Sequence, residues 1–226
     1  MPPLVIAIDG PAGAGKSTTA REVASRLGLL WVDTGAMYRA VTLWLLRHGI
    51  APVAGEAIEE ALGTLTVDLV PGESTLRVLL CGEDVSQRIR DDDVTGLVSQ
   101  VSSLRQVRHA LVRWQRRIAE RGNVVMEGRD IGTVVCPDAP IKIFLEASLA
   151  TRARRRARER SRHADGLDER QILRELARRD TADSTREVAP MAAATDAVRL
   201  DTTNLSITGQ VDAVVRLVRE RGYVSS

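Results

Sequence analysis

Cysteine is nearly missing from this chain: Cys81 and Cys136 are the whole supply in 226 residues, far apart and outside any C-x-x-C spacing. Neither a disulfide framework nor a metal knuckle is supported, and a reducing, cytoplasmic setting fits best. Lysine is almost as scarce, with Lys16 and Lys142 set against thirty arginines. Aromatic residues make up only 3%, too few to line the stacking platforms of a single-strand nucleic-acid binder. No window approaches the about eighteen apolar residues of a membrane span. The start, Met1-Pro2-Pro3, has neither the charged beginning nor the apolar stretch of a signal peptide. A soluble, unexported protein without a membrane partner is the expectation. Internal repeats and low-complexity linkers are missing too.

What is present is a globular composition, 44% hydrophobic and 27% charged, which excludes a disordered chain or a coiled-coil rod. The length suits one domain, or one with insertions. A net charge of +2 demands no polyanionic partner, but the balance is uneven: residues 51–98 carry ten acids against three arginines, whereas 150–163 carry seven arginines against Glu159 alone.

Apolar runs of strand length alternate with helical patterns, the signature of a parallel sheet wrapped by helices. Five runs read as strands: Leu4–Ile8, Leu29–Val32, Asn123–Met126, Ile141–Leu145 and Ala197–Leu200. Each is apolar nearly throughout, as strands covered on both faces are. Ala20, Val23, Ala24 and Leu27 follow helical spacing, with Gly28 placed to end the helix. Val107, Leu111, Trp114 and Ile118 repeat the pattern, and Ser206 is placed to cap a final helix carrying Val211, Val214, Val215 and Val218. Two segments depart from the alternation. Thr66–Val70 and Thr75–Leu80, joined by Pro71-Gly72-Glu73-Ser74, read as an acidic antiparallel insert at about residues 62–98. Residues 150–179 read as an arginine-rich helical pair interrupted near His163–Gly166.

The sharpest motif is Gly10-Pro11-Ala12-Gly13-Ala14-Gly15-Lys16-Ser17. It matches G-x-x-x-x-G-K-[ST] directly after a strand and before a helix. Glycines let the backbone N–H groups turn inward around a triphosphate, the helix start adds positive potential, and the lysine reaches the β- and γ-phosphates. Binding of ATP or GTP follows, with Ser17 placed as a Mg²⁺ ligand and Thr18 extending the binding segment. Further charged blocks stand at strand ends on the same rim: Asp33-Thr34-Gly35-Ala36-Met37-Tyr38-Arg39 after the second strand and Glu127-Gly128-Arg129-Asp130 after the third. Beyond them lies Arg179-Asp180-Thr181-Ala182-Asp183-Ser184-Thr185-Arg186. Taken singly, Asp33 and Thr34 read equally as a helix cap, and any one arginine as a solvated charge.

Taken together these blocks resemble the bacterial cytidylate kinase family, within the nucleoside monophosphate kinases. The likeness includes I-D-G-P-A-G-A-G-K-S, D-T-G-A-M-Y-R, G-E-D-V-S, S-Q-V-S at Ser99–Ser102 and V-R at Val107-Arg108. It continues through G-R-D-I-G-T-V-V-C-P-D-A-P, K-I-F-L, R-D-T-A-D-S-T-R and Ala189-Pro190, in family order along essentially the whole chain. The resemblance implies an α/β fold of the P-loop NTPase, adenylate-kinase-like kind. That is a parallel five-stranded sheet covered by helices, with a small antiparallel β insert in the monophosphate-binding region and a helical lid. The implied division is a core of 1–33, 101–149 and 187–226, a monophosphate-binding region of 34–100, and a lid with its following helix at 150–186.

The activity implied is transfer of a phosphoryl group from ATP, with Mg²⁺, to CMP or dCMP by a monomer. Thr34, Ser99, Arg108 and Asp130 would surround cytosine, and Arg39 and Arg129 would hold its phosphate. Arg179 and Asp183 would reach the ribose, and Arg186 the phosphates. Lys16, Arg39, Arg129, Asp130 and Arg186 form the implied catalytic set. Cytosine's pairing edge offers an amino donor where uracil has an oxygen, so a carboxylate such as Asp130 can tell them apart. No general base is needed, because a phosphate monoester is already an anion; cations that quench repulsion are, and a planar guanidinium suits phosphate better than an ammonium. The arginine run reads as a lid closing over ATP, and the resemblance makes Arg152, Arg155 and Arg156 its phosphate-facing members. Two other readings compete: a kinase of UMP, AMP or another small acceptor, and an ATP-driven nucleic-acid binder, against which the missing aromatics count.

Overall fold

In the computed structural model, residues 4–71, 76–160 and 169–223 are described. The elements in chain order are β1 (Val5–Asp9), α1 (Lys16–Leu27), β2 (Leu30–Asp33), α2 (Thr34–Arg47), α3 (Glu56–Thr64), β3 (Val67–Pro71), β4 (Leu76–Leu80), β5 (Glu83–Asp84), α4 (Asp92–Ser103) and α5 (Arg105–Glu120). Then follow β6 (Val124–Glu127), β7 (Ile141–Glu146), α6 (Leu149–Arg160), α7 (Glu169–Thr185), β8 (Val198–Asp201) and α8 (Ile207–Glu220). A 3-10 turn at Arg88–Arg90 precedes α4 and a π-helical turn at Ile131–Val135 follows β6. The chain divides into two compact units, one holding the residues up to Trp31 and from Gly122 onward, the other Val32–Arg121.

The first unit is built on the sheet, ordered β2-β6-β1-β7-β8. Strand β1 runs parallel to β6 and β7, and β7 parallel to β8, while the Leu30 N–H donates to the Asn123 carbonyl at 2.9 Å. All five expected strands are present within a residue or so of their apolar runs. One sheet face, with Ile6, Ile8, Val125, Ile141, Ile143 and Leu145, packs on Ala20, Val23 and Ala24 of α1 and on Val211, Val214, Val215 and Val218 of α8. Each fully buried Val, Leu or Ile contributes about 1.5 to 3 kcal/mol. The helix ends follow the capping residues: Gly28 closes α1 in a left-handed conformation, and Ser206 Oγ accepts from the Gly209 N–H at the start of α8.

In the second unit, Met37, Val41 and Leu43 of α2 share a core with Ile58, Val78, Leu80, Val94, Val98, Val107 and Leu111. Helix α5 therefore packs within this unit, whereas the sequence-based division ended the monophosphate region at residue 100. Its apolar stripe announces a helix but not which core receives it. The insert is smaller than expected: β3 and β4 pair antiparallel from Val67↔Leu80 to Pro71↔Leu76, and β5 adds two residues. Residues 92–98 are helical instead, because Val94, Val98 and Val101 fall at i, i+4 and i+7 and bury one stripe of α4. The Pro-Gly turn after Pro71 and the interruption expected near His163–Gly166 lie outside the described residues. Among the described residues no helix is long and apolar enough to cross a membrane.

Candidate active site

The phosphate loop leaves β1 and enters α1 through three glycines with positive φ, Gly10, Gly13 and Gly15. Gly10 is the most constrained: at φ 145° a Cβ there would stand 2.2 Å from the Leu145 carbonyl oxygen, so only glycine lets the loop pass β7. The loop's outward carbonyls are gripped by α6. Arg152 donates to the carbonyls of Ala12 and Ala147, both at 3.0 Å, and pairs with Asp180 at 2.6 Å. Arg155 donates to the Ala14 carbonyl at 3.4 Å and to the Thr202 carbonyl at 2.5 Å. These two arginines thus face the loop's backbone in this structure, while Arg156 lies half-buried on the same helix.

Lys16 opens α1 and is 6% exposed, its ammonium donating to the Pro11 carbonyl at 2.8 Å. Burial, reinforced by the Arg129 and Arg179 guanidiniums and opposed by Glu127 and Asp183, pushes it down to about 7. Ser17 Oγ donates to Glu127 Oε2 at 2.8 Å, and the Trp31 indole N–H donates to Glu127 Oε1 at 3.1 Å. This hydroxyl and carboxylate are hard oxygen donors of the kind that suits Mg²⁺, which keeps waters and phosphate oxygens for its remaining positions. Thr18, next along α1, is half-buried.

Beyond β6 and along α7 the expected charges interlock. Arg129 Nε donates to Asp183 Oδ2 at 2.9 Å; Arg186 stands 3.4 Å from Asp130 Oδ1 and 4.0 Å from Asp183 Oδ1. Its Nε donates to the Ala189 carbonyl at 2.5 Å. Burial alone would raise the Asp183 carboxyl, but Arg129, Arg179 and Arg186 outweigh it and hold it below its ordinary value. Guanidiniums held this way are oriented before any anion arrives. Arg129, Asp130, Arg179, Asp183 and Arg186 therefore belong to one unit with the phosphate loop.

The other predicted residues belong to the second unit. Asp33 caps α2, accepting from the Ala36 N–H at 3.0 Å, and pairs with Arg39 at 2.9 Å; the cap and the anchoring of the arginine are one carboxylate's two contacts. Thr34 is buried at the start of α2. Arg108 is 2% exposed, donates to the Ser102 carbonyl at 3.2 Å, and lies over the Tyr38 ring at 5.6 Å. Ser99 is half-buried on α4, its carbonyl accepting from Ser102 Oγ at 3.0 Å.

Sequence reasoning assigned no role to Asp9, Glu127, Thr202 or Gln210. Thr202 Oγ1 donates to the Ala14 carbonyl at 3.0 Å, and Thr19 Oγ1 to Gln210 Oε1 at 2.8 Å. Asp9 had one signal, a carboxylate ending an otherwise apolar strand.

The family model described as cytidylate kinase matches residues 6–220. A cytidylate kinase from Exiguobacterium sp. is 49% identical over 217 residues, 96% of this chain and 97% of the relative. One from Solibacter usitatus is 48% identical over 220 residues, 96% of this chain and 93% of the relative. A solved structure of an uncharacterized protein from Eubacterium ventriosum, 14% identical, aligns over 96% of this chain and 98% of its own with a TM-score of 0.52, a likeness of fold alone. At such identity over nearly its full length, the chain belongs to the cytidylate kinase family.

Proposed function

We propose that the chain phosphorylates CMP, and dCMP beside it, by in-line transfer of the γ-phosphoryl group of ATP. Family membership supports the reaction, and the observation that carries it is the interlocked set Arg129, Asp183, Arg186 and Asp130 in one unit with Lys16. Two polyanions must meet end to end, and fixed cations lower that barrier without reorganising at the moment of transfer. Orientation of this kind accounts for about 7 to 11 kcal/mol in well-aligned reactions. Lys16 would serve the β- and γ-phosphates, Arg129 and Arg186 the phosphates between donor and acceptor, and Arg179 with Asp183 the ribose. The Asp130 carboxylate would accept from the cytosine amino group. On the second unit, Thr34, Ser99 and Arg108 would read the base and Arg39 the monophosphate.

Ser17 and Glu127 would hold Mg²⁺, which when bound supplies neutralisation of phosphate charge. Arg152 and Arg155 would act on ATP through the loop, by holding its carbonyls outward and so its N–H groups inward; Arg156 would meet phosphate from the same helix. A coupled assay of ADP release with CMP, dCMP, UMP, AMP and GMP tests the reading. CMP and dCMP should be turned over fastest, and equal rates for UMP and CMP would remove cytosine selection.

A further inference from the structure

Asp9 ends β1 immediately before Gly10 and is 4% exposed. A carboxylate at such depth costs free energy; two backbone amides offset part of that cost, and burial still pushes the carboxyl up to about 6. Oδ1 accepts from the Ile131 N–H at 2.8 Å and Oδ2 from the Gly132 N–H at 2.7 Å. Those are the first two amides of the π-helical turn Ile131–Val135, groups that a helical turn leaves without partners of its own. Gly132 leaves room beside the clamp: a Cβ there would stand 3.3 Å from the Lys142 side chain and 3.4 Å from Asp9 Oδ2. Directly ahead of this turn stand Arg129 and Asp130. One side chain therefore ties the root of the phosphate loop to the turn that presents two acceptor-facing groups, 122 positions later.

We propose that Asp9 is a positioning residue for the acceptor nucleotide: its two oxygens clamp the turn at Ile131 and Gly132 and thereby aim Asp130 and Arg129. The inference rests on the acceptor reading above. Its backbone clamp is bidentate, so a single-acceptor side chain cannot replace it. Asp9→Asn keeps the shape but turns an amide NH₂ toward one of the two N–H groups, replacing an acceptor by a donor.

The test is steady-state kinetics of the wild-type protein and Asp9→Asn, with ATP and the monophosphate that the wild type turns over fastest. In the variant the acceptor KM should rise about tenfold, and the preference for CMP over UMP should narrow by a similar factor, as expected for a lost charge-assisted hydrogen bond. The ATP KM should move less than about twofold. Gly132→Ala, whose Cβ would crowd the Lys142 side chain at 3.3 Å and touch Asp9 Oδ2 at 3.4 Å, should give the same split in weaker form and carries the test if Asp9→Asn does not fold. An unchanged acceptor KM and selectivity, or equal loss of ATP and acceptor affinity, would overturn the proposal. Failure of the wild type to use CMP would overturn the acceptor reading alone, and the split would then be read on the monophosphate it does use.

Discussion

Nucleotide binding should take up a proton, and Lys16 should be where it goes. In the free protein burial and neighbouring guanidiniums bring this lysine down to about 7, so above that pH the uncharged amine dominates. A triphosphate beside the ammonium favours its charged form. Return of the lysine toward its ordinary range would then draw in a fraction of a proton per ATP, larger at about pH 8 than at about pH 7. The same depression fixes a sign for folding. Between about 7 and the ordinary 10.5 the unfolded chain holds the proton that the native lysine has lost, so Lys16 makes nucleotide-free stability rise with pH across that window. Calorimetric titration with ATP, without acceptor, in buffers of different ionisation enthalpy reads the proton count as a slope. The slope should vanish in Lys16→Met. A buffer-independent enthalpy at about pH 8, or an unchanged slope in the variant, would refute the argument.

Three further outcomes follow from the geometry. Gly10→Ala sets a Cβ 2.2 Å from the Leu145 carbonyl oxygen and should destabilise by about 2 to 5 kcal/mol, seen as a lower urea midpoint. Arg152→Met strands the Asp180 carboxylate and the Ala12 carbonyl; denaturant unfolding should report a loss of about 3 kcal/mol, and the KM for ATP should rise because the loop loses a clamp. Asp130→Ala should leave ATP binding near wild type and cut the CMP over UMP preference about tenfold, measured as a ratio of kcat/KM values.

The sheet and the phosphate loop were legible because local rules carry them. Strands covered on both faces read as unbroken apolar runs, and Gly10–Ser17 needs only its flanking strand and helix to be recognised. Strand β5 was not legible, since Glu83 and Asp84 are only two residues, both charged, too short a run to show any period. The extent of the insert was misjudged because Val94, Val98 and Val101 are few and stand beside an acidic run. Among the site residues, most arginines stood out in charged blocks and Arg108 only through the family resemblance, and in neither case was it legible what each touches. Nothing in the sequence pairs Arg152 and Arg155 with the loop carbonyls 140 and 141 positions away that their guanidiniums meet. Asp9 escaped for the same reason: its partners are backbone amides, which carry no residue signature.

The floor of the phosphate loop is finished by segments made almost two hundred residues after it. Thr202 secures the Ala14 carbonyl, and Gln210 takes the Thr19 hydroxyl and fills the space beside Gly15. A ribosome that has already released the Gly-Lys-Ser motif has therefore not yet produced a competent nucleotide binder; that competence arrives only once β8 and α8 emerge. Premature stop codons just upstream of β8 should thus abolish ATP affinity while leaving the motif itself intact.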